Sequence, residues 1–128
     1  MITHESKPGD VVAYCPDQNG PAVSRLLRDV QGLHQLTFPD GARPERVNWS
    51  DYLDRIDRAD PAKFAQRVLD RAGNNTVWYV NTPGLLHLGG KCEEVGRAFG
   101  ATRAPRDRIT PDANSFFEVD GLTEYRAP

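Results

Sequence analysis

The sequence lacks a long apolar segment and an excess of basic charge. The uncharged stretch from Asn74 to Gly90 is too short, and too often interrupted by Asn, Pro and Gly, to cross a bilayer. The 16 basic and 18 acidic residues give a net charge of −2, which argues against a nucleic-acid partner because phosphate neutralisation needs a basic surface. A chain of 128 residues with 38% hydrophobic residues instead predicts a single domain, residues 1–128, that can bury a core without a metal or a disulfide.

Nucleotide and metal motifs are also missing. The first strand-to-helix turn contains no G-x-G-x-x-G, and the segment around Lys91 is not a P-loop, because Leu85 and Cys92 stand where that motif needs glycine and a hydroxyl residue. The two cysteines and three histidines are scattered without zinc-ligand spacing. Cys92 lies near a predicted helix start, but no histidine shows a catalytic signature beside it. We therefore predict no cofactor, no metal and no catalytic residue.

The first residues lack the apolar core of a secretion signal. From the residues alone we expect either a cytoplasmic protein or a piece cut from a larger one. The two cysteines leave both alternatives open, because they would be buried thiols in the cytosol and a disulfide candidate in an exported domain.

Strand-like and helix-like segments alternate along the chain. Strands separated by helices form right-handed crossovers, so the pattern predicts an α/β fold. We expect a three-layer, Rossmann-like sandwich with a mostly parallel sheet of about five strands and helices on both faces. The predicted strands are 10–15, 33–38, 76–80, 108–110 and 122–126, the last as an edge strand; the apolar faces of the predicted helices lie within 23–30, 49–56, 64–72 and 88–99, with a turn of helix at 115–118.

Two polar turns should meet at the carboxyl ends of the central strands 11–15 and 76–80. One follows Cys15, and the other runs from Asn81 towards Lys91. Ligands of open parallel sheets bind beyond these strand ends, and these side chains could hold a sugar or a phosphate. The alternative is that they only cap helices and turns. We call this set of residues the crest: Asp17, Gln18, Asn19, Asn81 and Lys91.

Trp49 allows two interpretations. Its spacing from Tyr52, Leu53 and Ile56 is that of one helix face, which favours a core position. If it is exposed instead, its ring could stack on a sugar bound at the crest.

The predicted topology also places the two cysteines together. Cys15 ends the first strand and Cys92 opens the helix that follows strand 76–80, so both lie at the same edge of the sheet. Neighbouring strands are about 4.8 Å apart, which makes a disulfide feasible. We predict a Cys15–Cys92 disulfide that stabilises the fold by roughly 4 kcal/mol.

The opening stretch from Lys7 to Arg25, KPGDVVAYCPDQNGPAVSR, resembles part of the actinobacterial membrane glycosyltransferases of the GT-C superfamily. This group includes protein mannosyltransferases and the mycobacterial and corynebacterial mannosyl- and arabinosyltransferases. The segments NTVWYV (75–80), GKCE (90–93), FFE (116–118) and LTEYR (122–126) are similar as well, so the resemblance covers most of the chain.

The resemblance implies a C-terminal soluble domain that follows the last membrane helix and lies on the extracytoplasmic face of the membrane. The donor would be a polyprenyl-phosphate sugar, and the catalytic acidic residues would belong to an N-terminal region absent from this chain. The domain itself would be non-catalytic, with the parent transmembrane region and an acceptor glycan as partners. The alternative hypothesis is a free-standing cytoplasmic α/β protein, either a small hydrolase or a nucleotide-responsive binding domain.

Overall fold

The computed structural model of the chain describes residues 2–82, 88–110 and 121–128. Within these ranges the chain is an α/β domain built on a five-stranded sheet. The strands are β1 (Val11–Cys15), β2 (His34–Thr37), β3 (Val77–Asn81), β4 (Ala104–Ile109) and β5 (Gly121–Arg126); the helices are α1 (Ile2–Glu5), α2 (Gly20–Leu27), α3 (Tyr52–Arg58), α4 (Pro61–Ala72) and α5 (Lys91–Gly100), with a 3-10 turn at Asp17–Asn19.

The sheet is mixed, so the prediction of a mostly parallel, Rossmann-like sandwich is wrong. The strand order is β2-β1-β3-β5-β4. β1 pairs in parallel with β2 and β3, whereas β5 pairs antiparallel with both β3 and β4. The predicted edge strand 122–126 is β5, which lies inside the sheet, and β4 forms the edge.

The composition of the two last strands explains this arrangement. β4 carries Arg106, Asp107 and Arg108 and is exposed along most of its length, as charged edge strands are. β5 buries Leu122 and Tyr125, so it takes the interior position between β3 and β4. The alternation of strands and helices earlier in the chain carries no information about this insertion. The helix turn predicted at 115–118 lies outside the described residues.

Apolar clusters cover both faces of the sheet, because successive side chains of a strand point to opposite sides. Val11, Ala13 and Cys15 of β1 face the cluster that α3, α4 and α5 cover. Val12 and Tyr14 face the opposite cluster, which includes residues of α1 and α2. β1 and β3 are therefore buried on both faces, as expected for central strands.

Local signals set the bounds of the long helix α4. Asp60 accepts hydrogen bonds from the backbone N–H groups of Ala62 and Lys63, Pro61 occupies the first turn, and Gly73 ends the helix with a φ of 55°. The apolar face predicted within 64–72 therefore lies inside α4.

The amino ends of β1 and β3 are joined by the buried carboxylate of Asp10. It accepts hydrogen bonds from the backbone N–H of Thr76 at 3.0 Å and from the indole N–H of Trp78 at 3.1 Å. The opposite, carboxyl ends of the same strands carry the crest. Among the described residues, no helix is long and apolar enough to span a membrane.

Candidate functional site

The two polar turns of the crest meet at the carboxyl ends of β1 and β3. Cys15 and Asn81 are register partners, and the backbone N–H of Thr82 donates to the Cys15 carbonyl at 3.1 Å. The Thr82 hydroxyl donates to Asn19 Oδ1 at 3.2 Å, which links the second turn to the first. The predicted neighbours in the second turn, residues 83–87, lie outside the described residues.

The chain connections that follow β1 and β3 diverge at the carboxyl ends of these strands. β1 leads into α2 on one face of the sheet, whereas β3 is followed by α5 on the other face. A crevice at the carboxyl ends of two such strands is the usual ligand site of open α/β sheets. The fold thus keeps this divergence of the two connections although its sheet is mixed.

A disulfide joins Cys15 at the end of β1 to Cys92 in the first turn of α5, which confirms the predicted pairing. The Sγ–Sγ distance is 2.04 Å, the Cα atoms are 5.6 Å apart, and the two residues are separated by 77 positions. Both residues are fully buried. In this state Cys92 has no thiol to act as a nucleophile.

Lys91 lies beside this disulfide, but its ammonium points at the end of α3. Its Nζ donates to the carbonyls of Ile56 at 2.5 Å, Asp57 at 2.9 Å and Ala59 at 3.1 Å. An ammonium has three donors, and a cation at a helix C-terminus is favoured by the helix dipole. Lys91 therefore holds α3 against the crest, and its charge is already compensated by carbonyl oxygens.

Trp49 is at the surface, with 63% of the residue exposed. Its ring centroid is 5.1 Å from that of Tyr52, and the two planes are inclined by 53°. The core interpretation assumed one helix that includes both Trp49 and Ile56, but α3 begins only at Tyr52, after Asp51 in a left-handed conformation. The helical spacing therefore does not extend back to Trp49.

Tyr52 connects this exposed ring to the crest. Gln18 Nε2 donates to the Tyr52 hydroxyl at 3.3 Å, and that hydroxyl is hydrogen-bonded to the Asp17 carboxylate. The Arg55 guanidinium lies over the Tyr52 ring, 5.9 Å from its centroid. Trp49 is thus linked to Gln18 and Asp17 through Tyr52.

Arg55 fixes the segment that carries Trp49. Its Nε donates to the Ser50 carbonyl at 3.0 Å, and its two terminal nitrogens contact Asp40 and the Asn48 carbonyl. Tyr52 and Arg55 were missed as site residues from the sequence. Their spacing of three residues was a signal, because it places both side chains on one face of a helix.

Asp17 is the one carboxylate of the crest, and it is only 5% exposed. Its Oδ1 has no hydrogen-bond partner within the described part of the chain. Burial raises the pKa of Asp17, while the Tyr52 hydrogen bond and the charge of Arg55 act in the opposite direction. Burial, followed by the Asp17 charge, also raises the pKa of Tyr52, so its hydroxyl stays protonated and donates at neutral pH.

The arrangement is suited to binding a neutral polar ligand. It combines an exposed indole face with amide groups of Gln18 and Asn19, which both donate and accept. Among residues 2–82, 88–110 and 121–128, no group of three potential metal ligands occurs.

No protein-family model matches the chain, and neither curated proteins nor solved structures show a match.

Proposed function

We propose that this domain is the non-catalytic, extracytoplasmic part of a polyprenyl-phosphate-sugar-dependent membrane glycosyltransferase, and that its crest binds the acceptor glycan. The observation that carries the glycan proposal is the exposed Trp49 ring. This ring packs on Tyr52, whose hydroxyl is hydrogen-bonded to Gln18 and Asp17. A sugar has an apolar face that packs on such a ring and hydroxyls that bond to the neighbouring amide groups.

The buried disulfide supports the extracytoplasmic location. Stable disulfides form in oxidising compartments and are rare in the reducing cytosol. The Cys15–Cys92 bond fastens the two elements that carry the crest, since it joins β1 to α5. It therefore favours the exported domain over the free-standing cytoplasmic protein.

Trp49 and Leu53 form a matched pair for testing the role of the Trp49 ring. Trp49 is 63% exposed and Leu53, the second residue of α3, is 62% exposed. Truncating either residue removes an apolar side chain with a similar exposed fraction, but only the Trp49 ring packs on the ring of Tyr52, whose hydroxyl reaches the crest. Leu53→Ala is thus the matched control for Trp49→Ala.

Isothermal titration calorimetry with mannose- and arabinose-containing oligosaccharides tests the proposal. The wild-type domain should release heat with one of the two sugars, Trp49→Ala should weaken binding at least about tenfold, and Leu53→Ala should leave it unchanged. Binding of neither sugar, or equal losses in the two variants, would contradict the proposal.

A further inference from the structure

A second polar cleft lies along the outer side of β2, and it shares no residue with the crest. It has a volume of about 740 Å³. Residues 33–36, of which the last three belong to β2, form its floor, and Arg67 and Arg71 of α4 line its wall together with Arg43. Because β2 is the edge strand of the sheet, its outer side faces this cleft.

The cleft has an excess of positive charge. Arg43, Arg67 and Arg71 line it, against one carboxylate, Asp70, which accepts a hydrogen bond from Gln66 at 2.7 Å. Within the described ranges, Arg67 and Arg71 form no ion pair, and Arg43 has only a 4.0 Å contact with an exposed glutamate. Such a surface attracts a ligand that carries carboxylates or phosphates.

The guanidiniums of Arg67 and Arg71 each contact a partner that is not a carboxylate. Arg67 donates to the Asp40 carbonyl at 2.9 Å, and Arg71 Nη2 lies 3.2 Å from His34 Nδ1. Each of these contacts uses one of the five N–H donors of a guanidinium. The remaining donors are available to an acidic ligand in the cleft.

The backbone of β2 offers a second set of contacts. The N–H groups of His34 and Phe38 donate to β1 carbonyls, and hydrogen bonds in a parallel ladder alternate along a strand. The N–H of Gln35 therefore faces outward, into the cleft. Thr37 also faces outward, but its N–H already bonds to Ala42. An extended peptide could pair with the open part of this edge.

The spacing of the arginines matches such a peptide. Arg67 and Arg71 are separated by one helical turn, or about 6 Å along α4. In an extended chain the side chains of every second residue point the same way and are about 6.6 Å apart. We propose that the β2 cleft binds an extended peptide segment whose acidic residues alternate with uncharged ones, with carboxylates on Arg67 and Arg71 and main-chain pairing at Gln35.

A blocked synthetic hexapeptide, Thr-Glu-Val-Glu-Val-Thr, tests this proposal on the whole domain by NMR titration. The Gln35 amide should shift, and its hydrogen exchange should slow as it gains a partner. Arg67→Gln and Arg71→Gln should each weaken binding about fivefold, as for one well-placed exposed ion pair. Arg97→Gln, which removes an exposed arginine of α5 outside the cleft, should leave binding unchanged.

Two further probes separate peptide pairing from general attraction to anions. The same peptide with its two glutamates made adjacent should bind more weakly, because one carboxylate then points away from α4. A linear oligogalacturonate should not slow exchange at Gln35. Equal binding of both peptides, a slowed Gln35 exchange with the uronate, or an equal loss in Arg97→Gln would overturn the proposal.

Discussion

Asp17 brings a carboxylate into surroundings where its charge is unfavourable. It is 5% exposed, and the Tyr52 hydroxyl and Arg55 offset only part of the effect of burial, so its pKa is raised. A carboxyl group whose pKa is higher in the folded state binds more protons there than in the unfolded chain. Its charge therefore lowers the free energy of unfolding as the pH rises from 3.8 through the raised folded value.

The substitution Asp17→Asn should remove this pH-dependent decrease in the free energy of unfolding. The amide oxygen can still accept from Tyr52, so we expect the variant to be more stable than the wild type by about 1 kcal/mol at pH 7 and equally stable below pH 3.8. Urea denaturation across this pH range measures the difference, with the exposed Asp29→Asn as the control. A difference that stays constant with pH would contradict the burial argument. Weaker glycan binding by the more stable variant would show that the carboxylate is retained for function.

The supports of the crest could not be predicted from single residues. Asp17, Gln18 and Asn19 are ordinary turn residues by composition, and their chemical role depends on which side chains approach from α3. Tyr52 was assigned to a core stripe, and it is indeed buried, but its hydroxyl faces the crest. A tyrosine has an apolar ring and a polar hydroxyl, so it can pack in the core and contribute to a site at the same time. The hydrophobic pattern alone therefore cannot separate a core role from a site role.

At the scale of elements, most strands and helices from β1 to α5 follow from local signals, whereas α1 was not predicted and α3 begins later than its predicted apolar stripe. The β-branched and aromatic run of β3, the cap and proline of α4 and the glycine after it are all read from neighbouring residues. The direction of β5 depends instead on pairing with strands that are far apart in sequence. Periodicity identifies that segment as a strand but does not say which strands lie beside it, which is why the mostly parallel prediction failed.

β5 also carries a buried acidic residue that is paired with two arginines. Glu124 is 3% exposed and accepts from Arg108 at 2.8 Å and from Arg126 at 2.6 Å. Burial alone would raise the pKa of Glu124, but these two partners outweigh it and the pKa is lowered. Its contribution to stability is therefore present above the unfolded value of 4.5 and is lost as the pH falls through the folded value.

Glu124→Gln should lower the free energy of unfolding by about 2 kcal/mol at pH 7, because a buried acceptor of two charged donors becomes neutral. The difference from the wild type should shrink in acid, where the wild type itself becomes protonated. Thermal and chemical denaturation at pH 7 and below pH 4 measure this, and Glu94→Gln on the exposed side of α5 is the control. A loss of the same size in acid would argue against the ion-pair explanation.

At the scale of the whole molecule, the Cys15–Cys92 disulfide is the structural feature that supports the proposed extracytoplasmic location. Its two cysteines were placed together from strand order alone, and this step succeeded because it needs only β1, β3 and α5, whose positions follow the parallel rules. The mixed part of the sheet lies on the other side of β3 and does not affect it.

Removing the disulfide should cost about 4 kcal/mol of unfolding free energy, because the bond closes a long loop in the unfolded chain. Cys15→Ala/Cys92→Ala is the appropriate double variant, since both sulfurs are buried and a serine hydroxyl would lack a partner there. The reduced wild type should match the variant in urea denaturation. A loss below about 1 kcal/mol would mean that the bond constrains the chain very little.

The central claim, a glycan stacked on Trp49, can be measured through tryptophan fluorescence. The chain has two tryptophans, and Trp78 is 1% exposed, so iodide can quench only Trp49 efficiently. A mannose- or arabinose-containing oligosaccharide should protect the wild type from iodide, whereas Trp49→Phe should show weak quenching that the sugar does not change. Iodide quenching of the wild type that stays the same at every sugar concentration would contradict the account.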